Sequence, residues 1–102
     1  MDRDEIIEYL KEIKPNFQKK GIEIVALFGS FANESDNVYS DIDIAISKNS
    51  QFFEKFSAYD YFDTINEIKS NITKKFKRRV DIFDLDSKSP FLDSIKDSLI
   101  YV

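Results

Sequence analysis

Cysteine, histidine and tryptophan are all missing from this 102-residue chain, and glycine and proline occur only twice each. Without cysteine there can be neither a disulfide nor a thiolate metal site. Without histidine the usual zinc ligands and the imidazole general base are gone. Acid–base or metal chemistry in such a chain rests on carboxylates and hydroxyls. No apolar run approaches the roughly 18 residues of a membrane span. The N-terminus MDRDEIIEYL is acidic and amphipathic, unlike a signal peptide. The chain is therefore expected in the cytoplasm, with no membrane partner.

What is present fits one packed domain. The hydrophobic fraction is 42%, with ten phenylalanines, enough for a core but leaving little chain for a separate substrate domain. Nineteen acidic residues outweigh fifteen basic ones, for a net charge of −4. That balance disfavours strong nucleic-acid binding and suits hard cations such as magnesium.

Apolar residues Ile6, Leu10, Ile13 and Phe17 recur at helical spacing, with Pro15 and Gly21 marking the exit. IEIVALF, residues 22–28, reads as a buried strand ending at Gly29, and SDIDIAIS, residues 40–47, alternates as a second strand. Residues 52–76 return to helical spacing through Phe62, Ile65, Ile72 and Phe76, as one long helix or two with a break near SAYDY. RVDIFDLD, residues 79–86, is a third strand. SPFLDSIKDSLIYV then begins like a helix capped by Ser89 with Pro90 in its first turn. The order α-β-β-α-β-α predicts a small α/β (α+β) domain spanning residues 1–102, with a mixed sheet of about three strands flanked by helices.

Two details stand out within that plan. In a strand Asp41 and Asp43 project to one face, about 7 Å apart, where they repel unless a cation lies beside them. Asp81, in the next strand, comes onto the same face if the strands adjoin. Three carboxylates so placed can hold two magnesium ions, the arrangement that clamps the attacking and leaving oxygens in phosphoryl and nucleotidyl transfer. Gly29 and Ser30, at the end of the preceding strand, offer close backbone approach and a hydroxyl to phosphate oxygens. Taken singly, Gly-Ser is a turn and Asp-x-Asp a solvated face; the combination, joined by a polar loop, describes a triphosphate seat facing a metal seat.

The basic run KKFKRR, residues 74–79, reads as the solvated end of a helix, with contact to a triphosphate or an acidic partner as the alternative. Tyr59, Tyr61, Phe62 and the terminal LIYV read equally as core or as a partner surface.

FGS at 28–30, Ala32, SDIDIAI at 40–46 and VDIFDL at 80–85 resemble, in order, the motifs of the polymerase-beta nucleotidyltransferase superfamily. The similarity is strongest to its minimal nucleotidyltransferases, the antitoxins of HEPN toxin–antitoxin pairs, and it covers the whole chain. The resemblance implies that Gly29 and Ser30 bind ATP and that Asp41, Asp43 and Asp81 are the catalytic, magnesium-binding carboxylates. Asp81 would also help activate the acceptor hydroxyl. It implies a type VII-like antitoxin that transfers AMP from ATP to a tyrosine of a partner HEPN ribonuclease and so silences it. The family commonly reads Gly-Ser-x-Ala-Arg-Gly, whereas Asn33 and Glu34 follow Ala32 here. That departure motivates a rival, an antitoxin that occludes its partner without catalysis. A second rival is nucleotidyl transfer to a small molecule of the aminoglycoside type, disfavoured by the lack of an acceptor domain.

Overall fold

The computed structural model describes residues 1–102. Helix α1 (Arg3–Gln18) opens on Asp2, whose carboxylate accepts from the Glu5 amide. It buries the stripe Ile6, Leu10 and Phe17. Pro15 lies inside its last turn, and the helix runs on to Gln18 because proline there forfeits only one hydrogen bond. The chain reverses at Gly21, with φ of +90°.

Strand β1 (Ile22–Phe28) leads into a single turn of helix, α2 (Gly29–Ala32). A polar loop, residues 33–41, precedes β2 (Ile42–Lys48). The helical stretch expected over 52–76 is divided between α3 (Phe52–Lys55) and α4 (Ala58–Phe76). Ser57 makes the break: its hydroxyl accepts from the Asp60 amide while the Asp60 carboxylate accepts from the Ser57 amide, a reciprocal cap that starts a new helix. After β3 (Val80–Asp84), Ser89 and Pro90 start α5 (Pro90–Ile95) as the sequence predicts. A 3₁₀ turn (Lys96–Ser98) and β4 (Ile100–Tyr101) end the fold.

The sheet therefore has four strands, not about three, in the order β3-β2-β1-β4. The extra one is two residues long, too short to show a period, and lies within the stretch expected to continue from a helix. Strand β1 runs antiparallel to both β2 and β4, and β2 runs parallel to β3.

One face of the sheet presents Leu27, Ile42, Ile44 and Ile46 to Ile6 and Leu10 of α1 and to Ile68 and Ile72 of α4. Truncating the fully buried Ile44 to alanine would cost about 2–5 kcal/mol, so this layer holds the domain together. The other face presents Ala26, Phe28 and Ala45, all buried in a smaller cluster with Ile95 and packed against Phe83, Leu85, Leu92 and Leu99. None of the helices is long and apolar enough to cross a membrane.

Candidate functional site

Alternation along β2 puts Ile42, Ile44 and Ile46 into the main core and turns Asp43 toward the opposite face, the one that carries Ala45. Across the parallel β2–β3 pair, Asp43 stands in register with Asp81. Across the antiparallel pair it stands opposite Phe28, the residue just before Gly29. Asp41 lies one step outside β2, at the end of the polar loop. Asp43, Asp81 and Gly29 are thus brought together at one end of the sheet, with Asp41 just before β2 and Ser30 just after Gly29.

All three aspartates are half-buried, and none is paired with a lysine or arginine. Burial pushes the Asp43 pKa above its ordinary value, and the neighbouring charges of Asp81 and Asp41 push it further. Clustered anionic oxygens without a counter-ion are the donor set that a hard divalent cation satisfies. The residues present therefore suit magnesium in chemistry. As the side chains stand, no group of three carboxylates is close enough to grip an ion together, although the strands adjoin as the sequence reading required. Convergence on an ion requires rotation of the side chains.

Gly29 adopts φ of +77°, and a β-carbon built on it would lie 2.2 Å from Asp43 Oδ2. Only glycine lets the strand end pass so close to this carboxylate. No side chain caps the turn of helix that begins there, and Ser30 is half-buried within it. A cavity of about 560 Å³ opens beside these residues, walled by Gly29, Asn33, Asp43, Phe91, Asp97 and Leu99 among others. Its far wall comes from α5 and the 3₁₀ turn, a contribution from the C-terminal segment that no motif announces.

Glu34 does not point at this cavity. Its backbone takes φ of +63°, and its carboxylate pairs with Arg3 at 2.9 Å. Asn33 does line the cavity, and its side-chain oxygen accepts from the amide and hydroxyl of Ser35.

The basic run ends α4 mostly in solvent, with Lys74, Lys75, Lys77 and Arg79 exposed. Arg78 is the exception. Its Nη1 lies 3.1, 3.3 and 3.0 Å from the carbonyls of Asn37, Val38 and Ser40, across the loop that leads to Asp41. Sequence reasoning missed this residue, since nothing in KKFKRR distinguishes it from its neighbours. The aromatic group also divides: Tyr61 packs and donates to Asp84 at 2.6 Å, whereas Tyr59 and Phe62 stand in solvent.

At the opposite ends of β2 and β3, Lys48 bridges Asp84 at 2.5 Å and Asp86 at 3.0 Å and lies over the Tyr61 ring. Burial pushes the Lys48 pKa down, but hydrogen bonds to both carboxylates outweigh it and the net shift is upward. These charges satisfy one another, unlike those of Asp41, Asp43 and Asp81.

Residues 11–101 match the sequence pattern of the family described as Polymerase beta, Nucleotidyltransferase. Among curated protein sequences none matches the chain. Among solved structures, one described as a minimal nucleotidyltransferase has a TM-score of 0.71 at 19% identity, covering 98% of this chain and 95% of its own. A toxin–antitoxin crystallised with AMP-PNP has a TM-score of 0.61 at 20% identity, covering 99% of this chain and 72% of that one. A mutant of the toxin–antitoxin MntA-HpeT has a TM-score of 0.59 at 19% identity, covering 99% and 71%. At these identities the likeness is one of fold.

Proposed function

The chain belongs to the polymerase-beta nucleotidyltransferase family, and we propose that within it the protein is an antitoxin that transfers AMP from ATP to a tyrosine hydroxyl of a partner HEPN ribonuclease. The observation that carries this reading is the in-register pair Asp43 and Asp81, flanked by Asp41, with no cation paired to any of them and with Gly29 against Asp43.

In this reading Asp41, Asp43 and Asp81 hold magnesium, two ions between them. Magnesium held by these carboxylates would supply charge neutralisation at the phosphates and at the attacking and leaving oxygens. Gly29 admits the triphosphate to close contact with the backbone, and the Ser30 hydroxyl donates to it. Asp81 accepts the proton of the incoming phenol, in a chain that has no histidine to do so. The new bond joins the tyrosine oxygen to the α-phosphorus, the bond from that phosphorus to the bridging oxygen of the β-phosphate breaks, and pyrophosphate leaves.

The two toxin–antitoxin structures of like fold, one of them with an ATP analogue, support the partner and nucleotide assignments. Glu34 is no obstacle to an anionic substrate, since it is turned to Arg3. The second reading, neutralisation by binding alone, is favoured by Asn33 standing where the family commonly has arginine.

One experiment separates the two. The protein, magnesium and ATP labelled at the α-phosphate are incubated with a co-expressed HEPN partner, alongside the Asp41→Ala/Asp43→Ala variant. Transfer predicts label on the partner that vanishes in the variant, together with neutralisation. An unlabelled partner that both forms neutralise equally overturns the enzymatic reading in favour of occlusion.

A further inference from the structure

Asp41 is the one carboxylate of the three that lies outside the sheet, one residue before β2, so the ladder fixes only the peptide that follows it and the turn before it sets the rest. The loop before it has no apolar anchor: every residue from 33 to 39 is exposed, with Val38 and Tyr39 at 76% and 90%. Hydrogen bonds within its last turn are local. The Asn37 amide donates to Ser40 Oγ, the Tyr39 amide to Asn37 Oδ1, and the Ser40 amide to the Asn37 carbonyl. Such bonds shape a turn without tying it to the body of the protein. Glu34 ties the start of the loop to Arg3, and the long-range side-chain tie of the 37–40 turn is Arg78.

We propose that Arg78 is a positioning residue: it holds the 37–40 turn, and through it Asp41, in fixed relation to the Gly29–Ala32 helix. Its guanidinium reaches three carbonyls of the turn. Its Cζ also lies 5.5 Å from the ring centroid of Phe31, a buried residue next to Ser30. One side chain thereby spans the two halves of the site, the Gly-Ser turn and the Asp-x-Asp strand. The neighbouring Arg79 carbonyl accepts from the Ile42 amide at 2.9 Å, so the backbone that carries Arg78 also begins the β2–β3 ladder. A planar guanidinium can present several N–H groups in fixed directions while stacking on an aromatic face. The compact, strongly hydrated ammonium of lysine cannot do both. Arg78 touches neither substrate nor metal in this scheme; it sets how well Asp41 is poised to receive the ion.

The inference rests on the metal-binding reading of the carboxylates, and its test reads binding and local order separately. Manganese binding to the intact chain is measured by electron paramagnetic resonance for wild type, Arg78→Lys, Arg78→Gln and the exposed control Arg79→Lys. Amide hydrogen exchange is followed at Tyr39 and Ser40, with Ile44 and Ile46 as reporters of the sheet.

Both Arg78 variants should bind manganese about ten-fold more weakly, the lower end of what losing a partner behind a metal ligand costs. Exchange should quicken at Tyr39 and Ser40 but not at Ile44 and Ile46, and Arg79→Lys should match wild type. Unchanged manganese affinity with unchanged loop exchange overturns the proposal. So does exchange that quickens equally through the sheet, which marks a general loss of stability, and so does full retention by Arg78→Lys, which leaves only a charge requirement. If the wild type binds no manganese, the carboxylate reading falls by itself, and loop exchange alone decides whether Arg78 holds the turn.

Discussion

Gly29 and Asp43 meet across the β1–β2 pair so closely that a β-carbon on Gly29 would sit 2.2 Å from the Asp43 carboxylate oxygen. Gly29→Ala must therefore displace a side chain of the site as well as adopt a left-handed backbone, which costs a non-glycine residue about 1–2 kcal/mol. The expected result is a fold weakened by about that amount in urea denaturation, with AMP transfer lost far beyond what the unfolded fraction explains. Retained transfer would show that the strand end does not approach the substrate.

Asp43→Asn should separate stability from function. Burial, then Asp81 and Asp41, raise the Asp43 pKa above its ordinary 3.8, so the folded chain holds that proton more tightly than the unfolded one. Ionised Asp43 consequently costs stability at neutral pH, and the cost disappears as pH falls through the raised pKa toward 3.8 and below. Asparagine removes the charge at every pH. The variant should melt higher than wild type at pH 7, by less than about 1 kcal/mol because solvent screens a group this exposed. The advantage should vanish near pH 3.5, while metal binding is lost at both. Equal melting temperatures at pH 7 would mean that the three carboxylates do not strain one another.

The charged cluster around Lys48 should behave in the opposite way. Burial pushes the Asp86 pKa up, but hydrogen bonds from the Lys48 amide, the Ser47 hydroxyl and the Lys48 ammonium outweigh it and hold the pKa down. Asp86 thus adds stability above its unfolded pKa and loses it as pH falls through the lowered value. Tyr61→Phe removes one hydrogen bond to Asp84 and should cost about 1 kcal/mol. Lys48→Met leaves two carboxylates without their cation and should cost about 1–3 kcal/mol. Lys48 lies five residues, or roughly 16 Å, along β2 from Asp43, and Asp84 three residues, or roughly 10 Å, along β3 from Asp81. Manganese affinity should therefore stay unchanged in both variants, and weakening there would tie the cluster to the site.

The local half of this architecture was legible in the sequence. Gly29 after an apolar run, the alternation through Asp43, and Ser89-Pro90 each act within a few residues and sit where their chemistry predicts, whereas Asp41, expected inside the strand, falls one residue before it. The register that sets Asp43 beside Asp81 depends on two strands separated by the whole of α3 and α4, and periodicity carries no information on it. Strand β4 is held by its pairing with Ala26 and Leu27, not by its own two residues. Arg78 is one cation in a basic run until the fold places the 37–40 turn within its reach. The cavity wall from α5 and the 3₁₀ turn is likewise a product of packing, because Phe91, Asp97 and Leu99 share no motif with Gly29.

Glu34 offers a test of the segment that departs from the family pattern. It holds the left-handed conformation, φ of +63°, at the place where the family commonly has glycine, and it pairs with Arg3. Both groups of that pair are well exposed, so it contributes at most about 1 kcal/mol. The backbone conformation costs about as much or more in a residue with a side chain. Glu34→Gly should therefore leave stability unchanged or raise it by up to about 1 kcal/mol, as measured by the urea midpoint. Because the carboxylate is turned away from the cavity, the substitution should also leave nucleotide affinity within about two-fold of wild type, a difference of about 0.4 kcal/mol. A large gain in affinity would show that Glu34 reaches the substrate. A clear loss of stability would show that the Arg3 pair, and not the turn, fixes this end of the loop.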